Sequence, residues 1–194
     1  LEKCKKCPQL ITGDYDAEAI ITSYFCSDKS TIPEVQTHDE FLSIVFRGTE
    51  STTDIITDLN LFQVPLELPV KYYEYEILPL VHQGFHQQFI SLKSQVKNHI
   101  EKYYQDKNQN IHRNYAVHKK IIFAGHSLGG ALATISALYF SYLYPDLIIH
   151  CITLGSPRVG DTQFVKLFNQ RIPHSYRCVN DNDPVPCLPT AWRF

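Results

Sequence analysis

Hydrophobic positions fall into short β-branched runs early in the chain, one long helical stripe in the middle, and alternating runs and stripes at the end. Residues 18–26 (EAIITSYFC) and 41–47 (FLSIVFR) are rich in β-branched and aromatic types and predict two strands. The polar stretch Ser27–Glu40 between them lets the two pair as neighbours. Residues 1–14 carry cysteine, lysine, proline and glycine and read as an irregular lead-in. Residues 49–62 read as a loop with a short amphipathic piece, and Pro65, Pro69 and Pro79 keep the next stretch from forming one long helix. Phe85, Phe89, Leu92, Val96, Ile100 and Tyr103 recur at steps of three and four, the stripe of a surface helix over residues 84–105. Residues 106–118 are polar and predict an outward loop.

The last third alternates strand and helix. Residues 120–124 (KIIFA) are a short apolar run leading through Gly125-His126-Ser127-Leu128-Gly129 into an Ala- and Leu-rich helix, 128–143, closed by Pro145. A strand at 148–154, a helix at 161–171 and a strand at 175–180 follow. Strands separated by crossover helices are parallel, so the predicted class is α/β with an antiparallel pair at the start.

Composition adds limits. Apolar residues make up 44% and charged residues 20% of 194, ordinary values for one globular domain able to bury a core. A net charge of −2 without a long basic run gives no pointer to nucleic acid or an anionic membrane surface. No apolar stretch approaches the length of a transmembrane helix. The chain begins at Leu1, has no methionine and carries no recognisable signal peptide, which reads as a processed or trimmed chain. Cysteines stand at 4, 7, 26, 151, 178 and 187. Cys4 and Cys7 form a single C-x-x-C; zinc would call for a second pair, so a local disulfide or two inert thiols is the better reading than metal. No N-x-[ST] glycosylation acceptor is present.

Residues 125–129 match G-x-S-x-G. By composition a chain this long contains that pattern about one time in twenty, so it needs its context. The context is a strand before and a helix after, as a nucleophile elbow requires. A serine there occupies a sharp turn with its Oγ clear of the sheet, and side chains at 125 or 129 would collide with neighbouring backbone. Gly130, Ala131 and Ala133 let the helix pack close, while its N-terminus directs free N–H groups at the reacting centre. Ser127 is therefore the candidate nucleophile, and the Leu128 N–H a candidate oxyanion donor. His126 adjoins the serine and points elsewhere, which suits packing beside the turn. Asp183, after the last strand in NDNDPVP (180–186), stands where such sheets place a triad acid, with Asp181 as its rival. The same aspartates also suit a turn before proline.

Five motifs occur in order: FRGT (46–49), VHQGF (81–85), GHSLGGALA (125–133), GSPRVGD (155–161) and NDPVPCLP (182–189). Together they resemble the class 3 lipases, the fungal-type triacylglycerol lipase family, over nearly the whole chain. The resemblance implies an α/β-hydrolase fold: a mostly parallel sheet with an antiparallel N-terminal pair and helices on both faces, here truncated at both ends. It implies Ser127 as nucleophile and Asp183 as acid, with Thr49 joining Leu128 as an oxyanion donor and Asp58 orienting the Thr49 hydroxyl. It places a lid at residues 50–62, a strand-tying role at Arg158, and a short-range disulfide at Cys4 and Cys7 in some members.

Two departures accompany it. The family has a helix before the Cys4 region that is not seen here, and its third triad member is a histidine well after the aspartate. All nine histidines of this chain precede Asp183, so the triad histidine is expected beyond residue 194, and residues 1–194 form one domain incomplete at its C-terminus. His82 and His86, flanking Gly84-Phe85, read as structural, although either can lie near the site. The implied activity is hydrolysis of carboxylic esters, foremost of acylglycerols, without metal or organic cofactor. The implied partners are a lipid or other ester and a transient lipid interface, in an extracellular or secretory setting. A soluble short-chain or aryl (feruloyl-type) esterase is the alternative, and a non-catalytic binding relative a further one. A transacylase has no sequence feature in its favour.

Overall fold

The β-branched runs of the first half and the apolar runs of the second meet in one six-stranded sheet. A computed structural model of the chain describes residues 8–27, 38–48, 62–69, 78–108 and 120–190. The strands are β1 (Gln9–Thr12), β2 (Glu18–Ser27), β3 (His38–Phe46), β4 (Gln63–Pro65), β5 (Leu80–His82), β6 (Lys120–His126), β7 (Ile148–Leu154) and β8 (His174–Cys178). The helices are α1 (Gln83–Asn108), α2 (Leu128–Leu143) and α3 (Thr162–Arg171), with a 3-10 turn at Val185–Cys187. Sheet order is β1-β2-β3-β6-β7-β8, while β4 and β5 form a separate two-stranded ribbon. β2 pairs antiparallel with β1 and β3, and β3, β6, β7 and β8 run parallel. This is the α/β-hydrolase arrangement, with its mostly parallel sheet and antiparallel start.

The expected antiparallel pair is present, in register from Ala19↔Phe46 to Ser27↔His38. α2 has the predicted bounds, and α1 exceeds its predicted span at both ends, so residues 106–108 are helix rather than loop. Residues 109–119 lie outside the described residues. The lead-in also differs from expectation, because Gln9–Thr12 forms edge strand β1. A tight turn through Tyr15 (φ 59°) and Asp16 (φ 56°) folds it back on β2. Four residues with only Ile11 buried give too short an alternation to be legible. β4 and β5, at three residues each, are shorter still.

Alternation in β6 and β7 buries Ile121, Phe123, Ile149 and Cys151 against α2. The small residues Ala131, Ala133 and Ala137 let α2 lie close to the sheet, while Leu132, Ile135, Leu138 and Phe140 fill the gap beside them. Full burial of each large side chain contributes roughly 1.5–3 kcal/mol. Phe123 stacks between Phe46 and Phe140, with centroids 6.5 Å and 5.8 Å away. The predicted α1 stripe is buried throughout, and Phe89 meets Tyr139 of α2 edge-on at 5.2 Å. α3 buries Phe164 and Leu167, is capped by Asp161, and is tied to α2 by Arg171 donating to the Ser141 carbonyl at 3.1 Å.

The chain steps in one direction across the sheet, from β3 to β6 to β7 to β8. Right-handed crossovers then put α1, α2 and α3 on one side of it. The described residues include no helix on the other side. Among them, no helix is long and apolar enough to cross a membrane.

Candidate active site

The carboxyl ends of β3, β6, β7 and β8 lie side by side, and the predicted chemistry collects there. β6 turns into α2 at Ser127, whose backbone sits at φ 53°, ψ −121°. Positive φ is costly for a residue with a Cβ and has to be held by its surroundings. The Ser127 N–H donates to Leu154 O at 2.9 Å, and its carbonyl accepts from Gly130 N at 2.9 Å and Ala131 N at 3.3 Å.

The flanking glycines are required by contact. A Cβ at Gly125 would run into the Gly129 backbone, and one at Gly129 into the carbonyls of Phe46 and Arg47. At Gly130 it would stand 2.7 Å from the Ser156 Cβ. These approaches press the elbow against the ends of β3 and β7. Ser127 is only 2% exposed, and its Oγ has no hydrogen-bond partner among the described residues. Leaving a buried hydroxyl without a partner is costly. Gly130 and Ala131 bond back to Ser127, leaving the Leu128 and Gly129 N–H groups at the helix start with no intrahelical acceptor.

Asp183 follows β8. Its N–H donates to Asn180 O at 3.0 Å, and its Oδ1 accepts from Val185 N at 3.0 Å. Its Oδ2 lies close against Gly155, 2.7 Å from where a Cβ there would be. Gly155 has φ +57° and directly follows Leu154, the residue that holds the Ser127 N–H. The structure thus brings Asp183 to the elbow's side, half-buried, while its rival Asp181 is exposed. Gly155 went unnoticed as a position with its own role, although a glycine ending a strand in GSP is the available clue.

His126 is exposed beside the elbow, its ring between Gly48 and Gly155. Glycine positions on both sides leave room for the imidazole, in keeping with packing beside the turn. His82 is buried, its Nδ1 accepts from Gly84 N at 3.2 Å, and its ring lies 4.3 Å from Phe85. His86 is half-buried, and its pKa is lowered by desolvation and by Lys93, with Glu67 opposing. Both fit the structural reading of that motif. Arg158 donates to Leu188 O through its N–H at 2.7 Å and to Pro189 O through Nη1 at 3.3 Å, joining the segment after β7 to the loop beyond the 3-10 turn rather than two strand ends. Thr49, Asp58, Cys4, Cys7 and lid residues 50–61 lie outside the described residues. Among the described residues, no three His, Cys, Asp or Glu side chains gather as a metal-ligand set.

The model of the family described as Lipase (class 3) matches residues 43–192. The chain belongs to the class 3 lipase family. A lipase of Rhizomucor miehei is 32% identical over 157 residues, covering 79% of this chain and 39% of that protein. The toxin TseL of Vibrio cholerae is 34% identical over 158 residues, covering 77% of this chain and 21% of the toxin. The solved Rhizomucor miehei triacylglyceride lipase superposes with a TM-score of 0.64 at 28% identity, covering 95% of this chain and 62% of that one. Lipase II from Rhizopus niveus gives 0.65 at 28% identity, covering 93% and 59%. The chain thus spans less than half the length of these curated relatives. The class 3 lipase match includes the elbow, Gly155 and Asp183, the parts the geometry gathers at one end of the sheet.

Proposed function

We propose that this chain is the nucleophile-bearing part of a serine carboxylic ester hydrolase whose substrates are acylglycerols. The backbone of Ser127, at φ 53° with a buried Oγ that has no partner among the described residues, is the observation that carries the reading. Ser127 attacks the acyl carbonyl, an imidazole takes its proton, and Asp183 holds the resulting imidazolium. The Leu128 N–H and the N–H and hydroxyl of Thr49 stabilise the tetrahedral oxyanion, with Asp58 orienting that hydroxyl. The imidazole is assigned to a histidine that follows the acid in chain order, as the class 3 resemblance implies. No histidine follows Asp183 in the sequence, and no described histidine hydrogen-bonds to Ser127.

A secreted mono- and diacylglycerol lipase of Fusarium solani is 44% identical over 71 residues. That likeness supports both an acylglycerol substrate and an extracellular setting, and transient contact with a lipid interface is part of the same proposal. A short-chain esterase is favoured by one observation: residues 51–58 contain only Ile55 and Ile56 as strongly apolar side chains, little for a lid to bury at oil.

The test is hydrolysis of a diacylglycerol emulsion and a soluble p-nitrophenyl ester by the full-length protein and its Ser127→Ala variant. Loss of the nucleophile in a comparable triad costs about 10⁶-fold in turnover. Wild-type hydrolysis that survives in Ser127→Ala would overturn the proposal, and a folded wild type inert on both substrates would favour a binding role.

A further inference from the structure

We infer that Arg177 is a positioning residue that fixes the acid loop against the nucleophile helix. This deepens the proposed hydrolase reading and rests on it. Arg177 lies on β8, and its Nη2 donates to two carbonyls, Ser156 O at 2.9 Å and Pro186 O at 3.0 Å. These belong to different segments. Ser156 follows Gly155 in the turn after β7, and Pro186 is three residues past Asp183 in the 3-10 turn.

Each carbonyl is joined to one half of the candidate site. Ser156 is 2% exposed and packs so closely on the elbow helix that a Cβ at Gly130 would stand 2.7 Å from its own Cβ. Gly130 in turn donates to the Ser127 carbonyl at 2.9 Å. On the other side, the Asp183 carboxylate accepts from Val185, the residue before Pro186. One guanidinium therefore spans a short path from the nucleophile's turn to the acid's loop. Arg158 meets that loop further along, at Leu188 and Pro189.

The chemistry needs such a brace. Among the described residues β8 is the last strand of the sheet, and the acid loop leaves from its end. The Asp183 carboxylate has little freedom to drift, because it acts only if it meets the imidazolium formed beside Ser127. A planar, permanently charged fork suits the holding of two carbonyls in a fixed relation better than a flexible ammonium does.

The experiment compares full-length wild type with Arg177→Ala and Arg177→Lys. Misplacing a reacting group by an ångström costs about 10²-fold, so Arg177→Ala should lose on the order of 10-fold to 10²-fold in kcat while KM stays within about twofold. A carboxylate near an imidazole favours the charged ring, so a loosened Asp183 lowers the ring's pKa. The acidic limb of kcat/KM should therefore move to lower pH. Arg177→Lys should recover part of kcat, and added ethylguanidine should recover part of it in Arg177→Ala.

A purely structural Arg177 would lower the melting temperature and the amount of active enzyme without moving that limb or responding to ethylguanidine, and that outcome overturns the inference. So does an Arg177→Ala enzyme with wild-type kcat. If Arg177→Ala does not fold, the limb position in Arg177→Lys decides alone. Wild-type activity that persists in Ser127→Ala would instead remove the hydrolase reading itself, and the two failures are read from different variants.

Discussion

Ser127→Gly should be more stable than Ser127→Ala, the reverse of the usual order. Exchanging alanine for glycine ordinarily costs about 0.5–1 kcal/mol, because glycine loses more backbone freedom on folding. At residue 127 the native backbone is φ 53°, ψ −121°, where a Cβ is strained by roughly 1–3 kcal/mol and glycine is not. Both variants remove the same buried, unpartnered Oγ, so the hydroxyl cancels in the comparison. The difference leaves glycine ahead by about 1 kcal/mol, within a range of about 0 to 2.5. For a cooperative unit of about 150–250 residues that is a melting temperature about 2–4 °C higher. Differential scanning calorimetry on the two full-length variants, supported by urea titration with matched slopes, measures it. Both should be inactive on esters. If Ser127→Gly melts below Ser127→Ala by the ordinary alanine-to-glycine margin, the elbow is not strained and the reasoning from its backbone is wrong.

Asp183→Asn should retain KM within a few-fold and lose about 10⁴ in kcat, the loss seen in another serine triad, while exposed Asp181 tolerates the same change. Inactive Asp181→Asn beside active Asp183→Asn would reverse the assignment. Burial pushes the Cys151 thiol up to about 12 from 9.0, against an opposing hydrogen bond from Thr134. A thiol reagent at pH 8 should therefore modify exposed Cys178 and Cys187 in the native protein and reach Cys151 only on unfolding. Because the folded value is the higher one, the Cys151 contribution to stability is complete below pH 9 and declines between pH 9 and about 12. The slope is at most about 1.4 kcal/mol per pH unit, checked by urea titrations across that window. With only Ile55 and Ile56 strongly apolar in residues 51–58, rate should rise modestly as substrate passes its solubility, and a large jump would contradict this.

Long, strongly periodic elements were legible because their burial is written in one repeating pattern. The α1 stripe from Phe85 to Tyr103 and the alternation of β6 and β7 are buried as the sequence implies. β1, β4 and β5 were not, since three or four residues with one or two buried side chains carry no measurable period. Ser127 was visible because the elbow needs glycines at fixed neighbouring positions. Position after the last strand favoured Asp183 over Asp181 only slightly, since both precede the same proline-rich turn, and the family resemblance separated them. In the fold, Asp183 lies against Gly155 while Asp181 is exposed, a difference of tertiary contact that no local pattern encodes. Arg177 was missed for the same reason: a guanidinium bridging two carbonyls leaves no trace in spacing.

The nucleophile itself is tested most directly by a fluorophosphonate probe, which phosphonylates a serine activated by a neighbouring base. Full-length protein is incubated with the probe, digested, and the modified peptide is located by mass spectrometry. Modification of Ser127 alone, absent in Ser127→Ala and slowed in Asp183→Asn, is the predicted result. A modified serine elsewhere, or undiminished labelling of Ser127→Ala, would show that the strained serine at the end of β6 is not the nucleophile.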